Sequence, residues 1–396
     1  MQPGKLSVAF IRTTSGEFTG TSKMILRLVD GIGDDFEPII ICQKDCPLLE
    51  QARERNLQTE VIPYRGVLDN YGGSLLSPSP LQFLRMIFRI GQYNFDAHRV
   101  LSEADIIWCD TLRTLLTLAP TAILSDTPVI WNVGLGEKSE GIYAWLNEVC
   151  FRLADHVFIE SELQAERLYG KQFDRHRQKF TIFYKGIKID RFATSTESEH
   201  PDGGSEPLTI GTAGTLTERK GHHTALEALA RFQDEHPDLD FTYRIAGGTS
   251  HPKHHEYEAE LRRQISRLGL ENVVEFCGWV DSEDMPEFYQ SLDVFILASS
   301  AEGIAGVVRE AMASGCAVIA TDVGGNPEAI TDGETGRIVP PDSPDAIADA
   351  LSDLVSNPRH RREIAENGCE YTTENFSVET YVNRYADFLR RVAARQ

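Results

Sequence analysis

The chain is short of lysine and of positive charge. Its 396 residues hold 10 lysines beside 29 arginines, and 60 acidic residues against 39 basic ones give a formal net charge of -21. Binding to nucleic acid depends on neutralising phosphates with Lys and Arg, so this balance argues against a nucleic-acid partner. Self-repulsion of this strength is tolerable where concentrated salt shortens the screening length to about 3 Å, a pattern that suits a salt-loving host; an ordinary acidic enzyme shares the composition. Long apolar runs are missing too. No stretch approaches the roughly 20 uninterrupted apolar residues of a membrane-spanning helix. Met1-Gln-Pro-Gly-Lys5 runs straight into the brief apolar stretch Leu6 to Ile11, the wrong shape for a secretion signal, and a cytoplasmic location is expected. The seven cysteines (42, 46, 109, 150, 277, 316 and 369) include no C-x-x-C pair, which indicates reduced, mostly buried thiols rather than a disulfide framework or a zinc site. The G-x-G-x-x-G fingerprint is absent as well. Gly16 and Gly20 do not match it, Gly31-Ile-Gly33 and Gly134-Leu-Gly136 lack its third glycine, and a nicotinamide dehydrogenase is therefore poorly supported.

What is present is a globular composition, 41% hydrophobic and 25% charged, in a length that suits two domains. Apolar runs bounded by Gly, Pro and polar clusters alternate with helical patterns, the signature of β-α-β units and parallel sheets. Strands are expected near 6–11, 37–42, 59–63, 105–109, 128–132, 156–160 and 180–184, and then near 208–211, 241–246, 273–277, 293–297, 317–320 and 337–339. Between the two series, 193–207 is polar and reads as a linker. The expected domains are 1–192, 208–375 and a terminal helix at 376–396. Open α/β sheets place ligands beyond the carboxyl ends of their strands, so two such domains suit a two-part substrate.

The most informative stretch is Ser299-Ser-Ala-Glu302-Gly303-Ile304-Ala305-Gly306-Val-Val-Arg-Glu310-Ala-Met-Ala-Ser-Gly315. It follows the apolar strand Val294–Leu297 and becomes helical before Gly315 stops it. A loop entering a helix offers unpaired amides and a positive dipole end, which suit a diphosphate. Glu302 and Glu310 can accept hydrogen bonds from vicinal hydroxyls, one from a transferred sugar and the other from a ribose; alone, they read equally as solvated charges. Arg219 and Lys220, in Gly214-Thr-Leu-Thr-Glu-Arg219-Lys220-Gly221, follow another strand and can neutralise a leaving diphosphate in place of a metal. Gly16 and Gly20 form a third glycine loop after Val8–Ile11. Asp238-Leu-Asp240 resembles a divalent-cation motif but precedes a strand, the wrong end for ligands, and His251, His254 and His255 lack companion carboxylates; no metal is expected. Leu81-Gln-Phe-Leu-Arg-Met-Ile-Phe-Arg-Ile90 reads first as a buried helix and second as a contact with a lipid-linked acceptor at a membrane surface. Asn375-Phe-Ser377 fits the glycosylation pattern but reads as a helix start.

Together these residues resemble the GT-B-fold retaining glycosyltransferases of family 4, the group 1 glycosyl transferases. The resemblance is carried by the Gly16–Gly20 loop, Ala154-Asp155-His-Val-Phe-Ile-Glu-Ser161, Tyr184-Lys-Gly186-Ile-Lys-Ile-Asp190-Arg-Phe192, Arg219-Lys220-Gly221, Ala246-Gly-Gly248, Val274-Glu-Phe-Cys-Gly278, Asp322-Val-Gly-Gly-Asn-Pro-Glu328, and most specifically Glu302 and Glu310 with the trailing Glu310-Ala-Met-Ala-Ser-Gly315. It implies an α/β fold of two facing Rossmann-like, doubly wound domains with a cleft between them, and a terminal helix from Phe376 crossing back to the first. It further implies that Arg219 and Lys220 stabilise the leaving diphosphate, that Glu302 with Gly303, Ile304 and Ala305 positions the donor sugar, that Glu310 binds ribose, and that Gly278 and Val280 lie near the base. The activity implied is transfer of a hexose-type sugar from a nucleoside-diphosphate sugar, UDP-linked or GDP-linked, to a hydroxyl of a glycan, glycolipid or lipid-linked acceptor. Retention of configuration, no cofactor and no metal are implied with it, and the leaving phosphate itself can serve as base. Three departures stand out: Thr215 where a second phosphate-binding Arg is usual, Ile304-Ala305 in place of Phe-Gly, and Asn132 where a histidine is common, which puts acceptor-side catalysis in doubt because Asn cannot relay a proton. A nucleotide-sugar epimerase and a non-catalytic sugar-nucleotide-binding partner remain competing readings.

Overall fold

The structure, a computed structural model, describes residues 4–13, 20–69, 79–133, 141–184, 186–192, 207–248, 252–303 and 305–394. Gly16, the Gly134–Gly136 dipeptide pair, nearly all of the 193–207 linker, His251 and Ile304 lie outside them. The chain divides into two compact units, one of Met1–Lys185 with Tyr381–Gln396 and one of Gly186–Thr380.

The first unit is built on a sheet of seven strands: β1 (Leu6–Arg12), β2 (Phe36–Cys42), β3 (Gln58–Val61), β4 (Ile106–Cys109), β5 (Val129–Asn132), β6 (His156–Ile159) and β7 (Phe180–Ile182). Their order across the sheet is β3-β2-β1-β4-β5-β6-β7, with every pair parallel. Parallel strands need helices on both faces, so a central strand reads as an unbroken apolar run: Ile106-Ile-Trp-Cys109 is buried at all four positions. The helix Val378–Ala393 serves this unit from Tyr381 onward. Tyr385 and Phe388 pack edge-on against Phe158, with ring centroids 5.1 and 4.7 Å apart.

The second unit has six strands: β8 (Leu208–Ala213), β9 (Phe241–Ala246), β10 (Val274–Gly278), β11 (Val294–Leu297), β12 (Ala317–Thr321) and β13 (Arg337–Val339), again all parallel, in the order β10-β9-β8-β11-β12-β13. The two sheets therefore share one winding pattern: the first strand of each unit lies beside its fourth, where the order reverses.

The same device pins strands at the amino edge of both sheets. Asp105, Asp155 and Asp293 each stand just before a strand, and each carboxylate accepts the amide of the neighbouring strand's end: Ser7 N at 2.8 Å, Val129 N at 2.8 Å and Thr209 N at 2.9 Å. Each aspartate's own amide donates to the carbonyl of that same residue, at 2.8 to 2.9 Å. Two-point clasps of this kind satisfy edge groups that the ladder leaves open and fix the register of adjacent strands.

Candidate active site

The reversal point of the second sheet lies between β8 and β11. Alternate residues of these strands enter two separate cores: Ile210, Val294 and Ile296 join the helix His222–Glu235, whereas Ala213, Phe295 and Leu297 join the helix Gly306–Ala313. The helices after β8 and β11 therefore lie on opposite faces, and the loops leading to them meet at the carboxyl ends of the strands, where the Ser300 amide donates to the Arg219 carbonyl at 2.9 Å. Lys220 comes from the first loop and Glu302 from the second. The Lys220 Nζ donates to Glu302 Oε1 at 2.7 Å, with both side chains mostly buried. Arg219 lies 3.2 Å from the same oxygen and donates to the carbonyl of Ala301 at 2.6 Å, while the Ser299 hydroxyl donates to Glu302 at 2.8 Å. One carboxylate oxygen thus gathers a hydroxyl from its own loop and two cations from the loop after β8, Lys220 lying 82 residues away in sequence.

Two glycines let these loops close together. Gly221 adopts φ +66°, and a Cβ there would meet the Ala298 carbonyl oxygen at 1.9 Å. Gly324, after β12, adopts φ +59°, and its Cβ would meet the Glu302 carbonyl oxygen at 2.1 Å. Neither position admits a side chain. Ala305 caps the helix Gly306–Ala313 at φ -65°, so the alanine that replaces the usual glycine here carries no left-handed strain. The helix begins four residues after Glu302 in the chain.

Glu310 lies one helical turn further in. It is half-buried, and its Oε2 accepts the Tyr289 hydroxyl at 3.0 Å. Burial raises the carboxyl above its ordinary range, with the Tyr289 hydrogen bond, Arg309 and Arg191 pulling the other way. The Tyr289 phenol, buried against it, is pushed well up for the same reason. Gly278 ends β10 at φ +71°, its carbonyl accepting the Gly247 amide at 2.8 Å, and Val280 packs half-buried against the core that holds Glu310's helix. The sequence-derived set therefore assembles in the second unit as Arg219, Lys220, Glu302, Gly303 and Ala305, with Glu310 and Gly278–Val280 on flanking elements.

Asn132 and Gly20 belong to the first unit, Asn132 closing β5 and Gly20 opening the helix Gly20–Gly31. The first unit also holds a charged pair that sequence reasoning missed. Arg12, the last residue of β1, donates to Asp110 just past β4 at 3.0 Å, with both buried. Asp110 also accepts the Thr13 amide at 3.3 Å and the Thr114 hydroxyl at 3.1 Å. Burial pushes its carboxyl up to about 6 despite Arg12. His222, right after Gly221, was missed as well. It is buried, its Nε2 lies 3.3 Å from the Thr215 carbonyl and so carries the proton, and burial pushes its pKa down to about 4. No local signal marks Arg12 and Asp110, whose pairing closes across 98 residues, and His222 is silent because its partner is a backbone carbonyl, which carries no sequence signature. Asp238 and Asp240 are exposed ahead of β9, and among the described residues no three His, Cys, Asp or Glu side chains gather as a metal site.

Residues 195–371 match the family model described as glycosyl transferases group 1. The chain is 32% identical over 246 residues to a D-inositol 3-phosphate glycosyltransferase of Corynebacterium urealyticum, covering 58% of this chain and 56% of that protein. It is 30% identical over 224 residues to a GDP-mannose-dependent alpha-(1-6)-phosphatidylinositol monomannoside mannosyltransferase of Mycolicibacterium smegmatis, covering 53% and 56%. The matched stretch thus spans little more than half the length of either relative. The crystal structure of Anabaena Alr3699/HepE in complex with UDP superposes with a TM-score of 0.72 at 20% identity, covering 98% of this chain and all of that one. The two Rossmann-like parallel-sheet units are those of the GT-B fold.

Proposed function

We propose that this chain, which carries a group 1 glycosyl transferase domain, transfers a sugar from a nucleoside-diphosphate sugar to a hydroxyl acceptor, with retention of configuration and without a metal. The observation that carries the reading is the Lys220–Glu302 pair at the reversal point of the second sheet, inside the residues that match the family. Lys220 and Arg219 meet the negative charge that builds on the departing diphosphate as the anomeric carbon gains positive character. The amino end of the helix Gly306–Ala313 adds its dipole to the same charge. Until a diphosphate arrives, Glu302 holds the two cations in place; once they turn to the phosphates, its carboxylate is available to the sugar hydroxyls. Glu310, already holding the Tyr289 hydroxyl, supplies a carboxylate for the vicinal hydroxyls of ribose.

The Anabaena structure contains UDP and the Mycolicibacterium relative is GDP-mannose-dependent, so both donor bases stay in the proposal, with an inositol phosphate, glycan or lipid-linked hydroxyl as acceptor. The test is release of nucleoside diphosphate from UDP-linked and GDP-linked hexoses by the purified chain in concentrated KCl, with the product anomer read by NMR. Turnover that persists with a chelator and yields a retained anomer supports the reading. Proton exchange at the sugar C2 without transfer would instead identify an epimerase, and binding without any turnover a non-catalytic partner.

A further inference from the structure

The helix Pro80–Leu101 has two apolar faces, and only one has a partner. Met86, Ile90, Tyr93, Ala97, Val100 and Leu101 pack into the first unit's core. On the other side Leu81, Leu84, Phe88 and Phe95 recur at helical spacing and are 59%, 64%, 68% and 82% exposed, with Ile87 beside them. The sequence favoured burial for this segment; burial holds for one stripe, and the second faces solvent because one helix can turn only one side to a sheet. The exposed stripe runs about 21 Å along the helix axis.

The charge beside it is opposite to that of the protein. Residues 80–95 contain Arg85 and Arg89 and no acid, in a chain whose net charge is -21. Among the described residues neither arginine meets a carboxylate; Arg89 donates to Gln92 at 2.7 Å. The two guanidinium groups, with Leu84, Phe88, Gly66 and Val67, line a hollow of about 480 Å³. No helix of the described residues is long and apolar enough to cross a membrane. A helix with large exposed side chains, flanked by arginines and lying on a surface, is built to enter the boundary between headgroups and acyl chains.

We propose that this stripe docks the first unit onto an anionic lipid bilayer, Leu81, Leu84, Phe88 and Phe95 entering the acyl boundary while Arg85 and Arg89 take the lipid phosphates. A protein of this net charge is repelled on average by an anionic surface, which makes the two arginines beside the exposed stripe the orienting element of this face. Self-association through the same face is disfavoured, because a two-fold pair brings four arginines together while the one acid at the end of the stripe, Asp96, is already paired with Arg65 at 3.3 Å.

The experiment is co-sedimentation of the whole chain with vesicles of phosphatidylcholine, with and without phosphatidylglycerol, alongside donor hydrolysis measured in solution. Binding is expected only to the phosphatidylglycerol vesicles. It should fall as salt rises and drop roughly fivefold for each of Arg85→Gln and Arg89→Gln. Leu84→Glu with Phe88→Glu should abolish it while the thermal midpoint and donor hydrolysis stay as in the parent. Parent protein that remains in the supernatant, or a Leu84→Glu, Phe88→Glu variant that binds as the parent does, overturns the surface while leaving the donor-site reading intact. So does a parent dimer in solution that this double variant dissociates, since the face would then belong to a second copy.

Discussion

The two units place the same kind of pair at the same topological point and use it differently. In each, the first strand neighbours the fourth; a cation follows or ends the first strand and a carboxylate follows the fourth, Arg12 with Asp110 and Lys220 with Glu302. The Asp110 side chain is 2% exposed and wrapped by Thr13 and Thr114, whereas Glu302 is 9% exposed and shared by Lys220, Arg219 and Ser299. A sealed pair with every contact internal is a structural unit. A pair at the carboxyl ends of the strands, with the half-exposed Arg219 sharing its carboxylate, is one that a ligand can compete for. The difference between a strut and a site thus lies in what surrounds the pair, with topology held constant.

The largest expected effect breaks the strut. Asp110→Ala leaves Arg12 buried without its carboxylate and should lower stability by about 3–5 kcal/mol, measured by denaturant unfolding, with little change in nucleotide affinity of the folded fraction. In the second unit, Lys220→Ala should leave the fold intact and slow turnover by roughly 10²–10³-fold, the usual loss when one charge-stabilising donor is removed from a transition state. Equal turnover in the variant and the parent would remove Lys220 from the mechanism.

The units should also answer acid in opposite senses. His222 titrates at about 4 in the fold against 6.5 when free, so the unfolded chain binds its proton first and this contribution to stability, about 3 kcal/mol, is lost as pH falls from 6.5 towards 4. Asp110 titrates at about 6 against 3.8, so its fold-favouring proton is kept in acid and lost as pH rises from 3.8 through 6. The two slopes nearly cancel in the parent. Asp110→Asn should therefore sharpen acid sensitivity between pH 6 and 4, and His222→Asn should blunt it, in thermal midpoints measured across that window. Matching profiles for both variants would mean that these groups do not control acid stability. The smallest effect is Glu310→Ala, which should weaken nucleoside-diphosphate binding by about 1.5–3 kcal/mol, the range for hydrogen bonds to a charged group.

Much of this architecture is legible in the sequence because the central strands are fully buried: Val294-Phe-Ile-Leu297 and Ile106-Ile-Trp-Cys109 are unbroken apolar runs bounded by polar turns, and burial on both faces dictates that pattern. The loop after β11 is legible too, since glycines and a glutamate between a strand and a helix stand out locally. The Arg12–Asp110 pair is not, because its partners are 98 residues apart and nothing near either announces the other. Tyr289 is silent for the same reason: it is an ordinary core aromatic until the fold brings its hydroxyl to Glu310. The helix Pro80–Leu101 shows a third limit. Hydrophobic spacing reveals that apolar faces exist but not which one the sheet will cover.

The most direct test is calorimetric titration of UDP and GDP into the parent, Glu310→Ala and Asp110→Asn proteins. The account predicts that the parent binds one of the two nucleotides, that Asp110→Asn binds it equally, and that Glu310→Ala binds it at least about tenfold more weakly. A folded parent that binds neither at saturating concentration, or affinity lost in Asp110→Asn and kept in Glu310→Ala, would contradict the assignment of the donor site to the second unit.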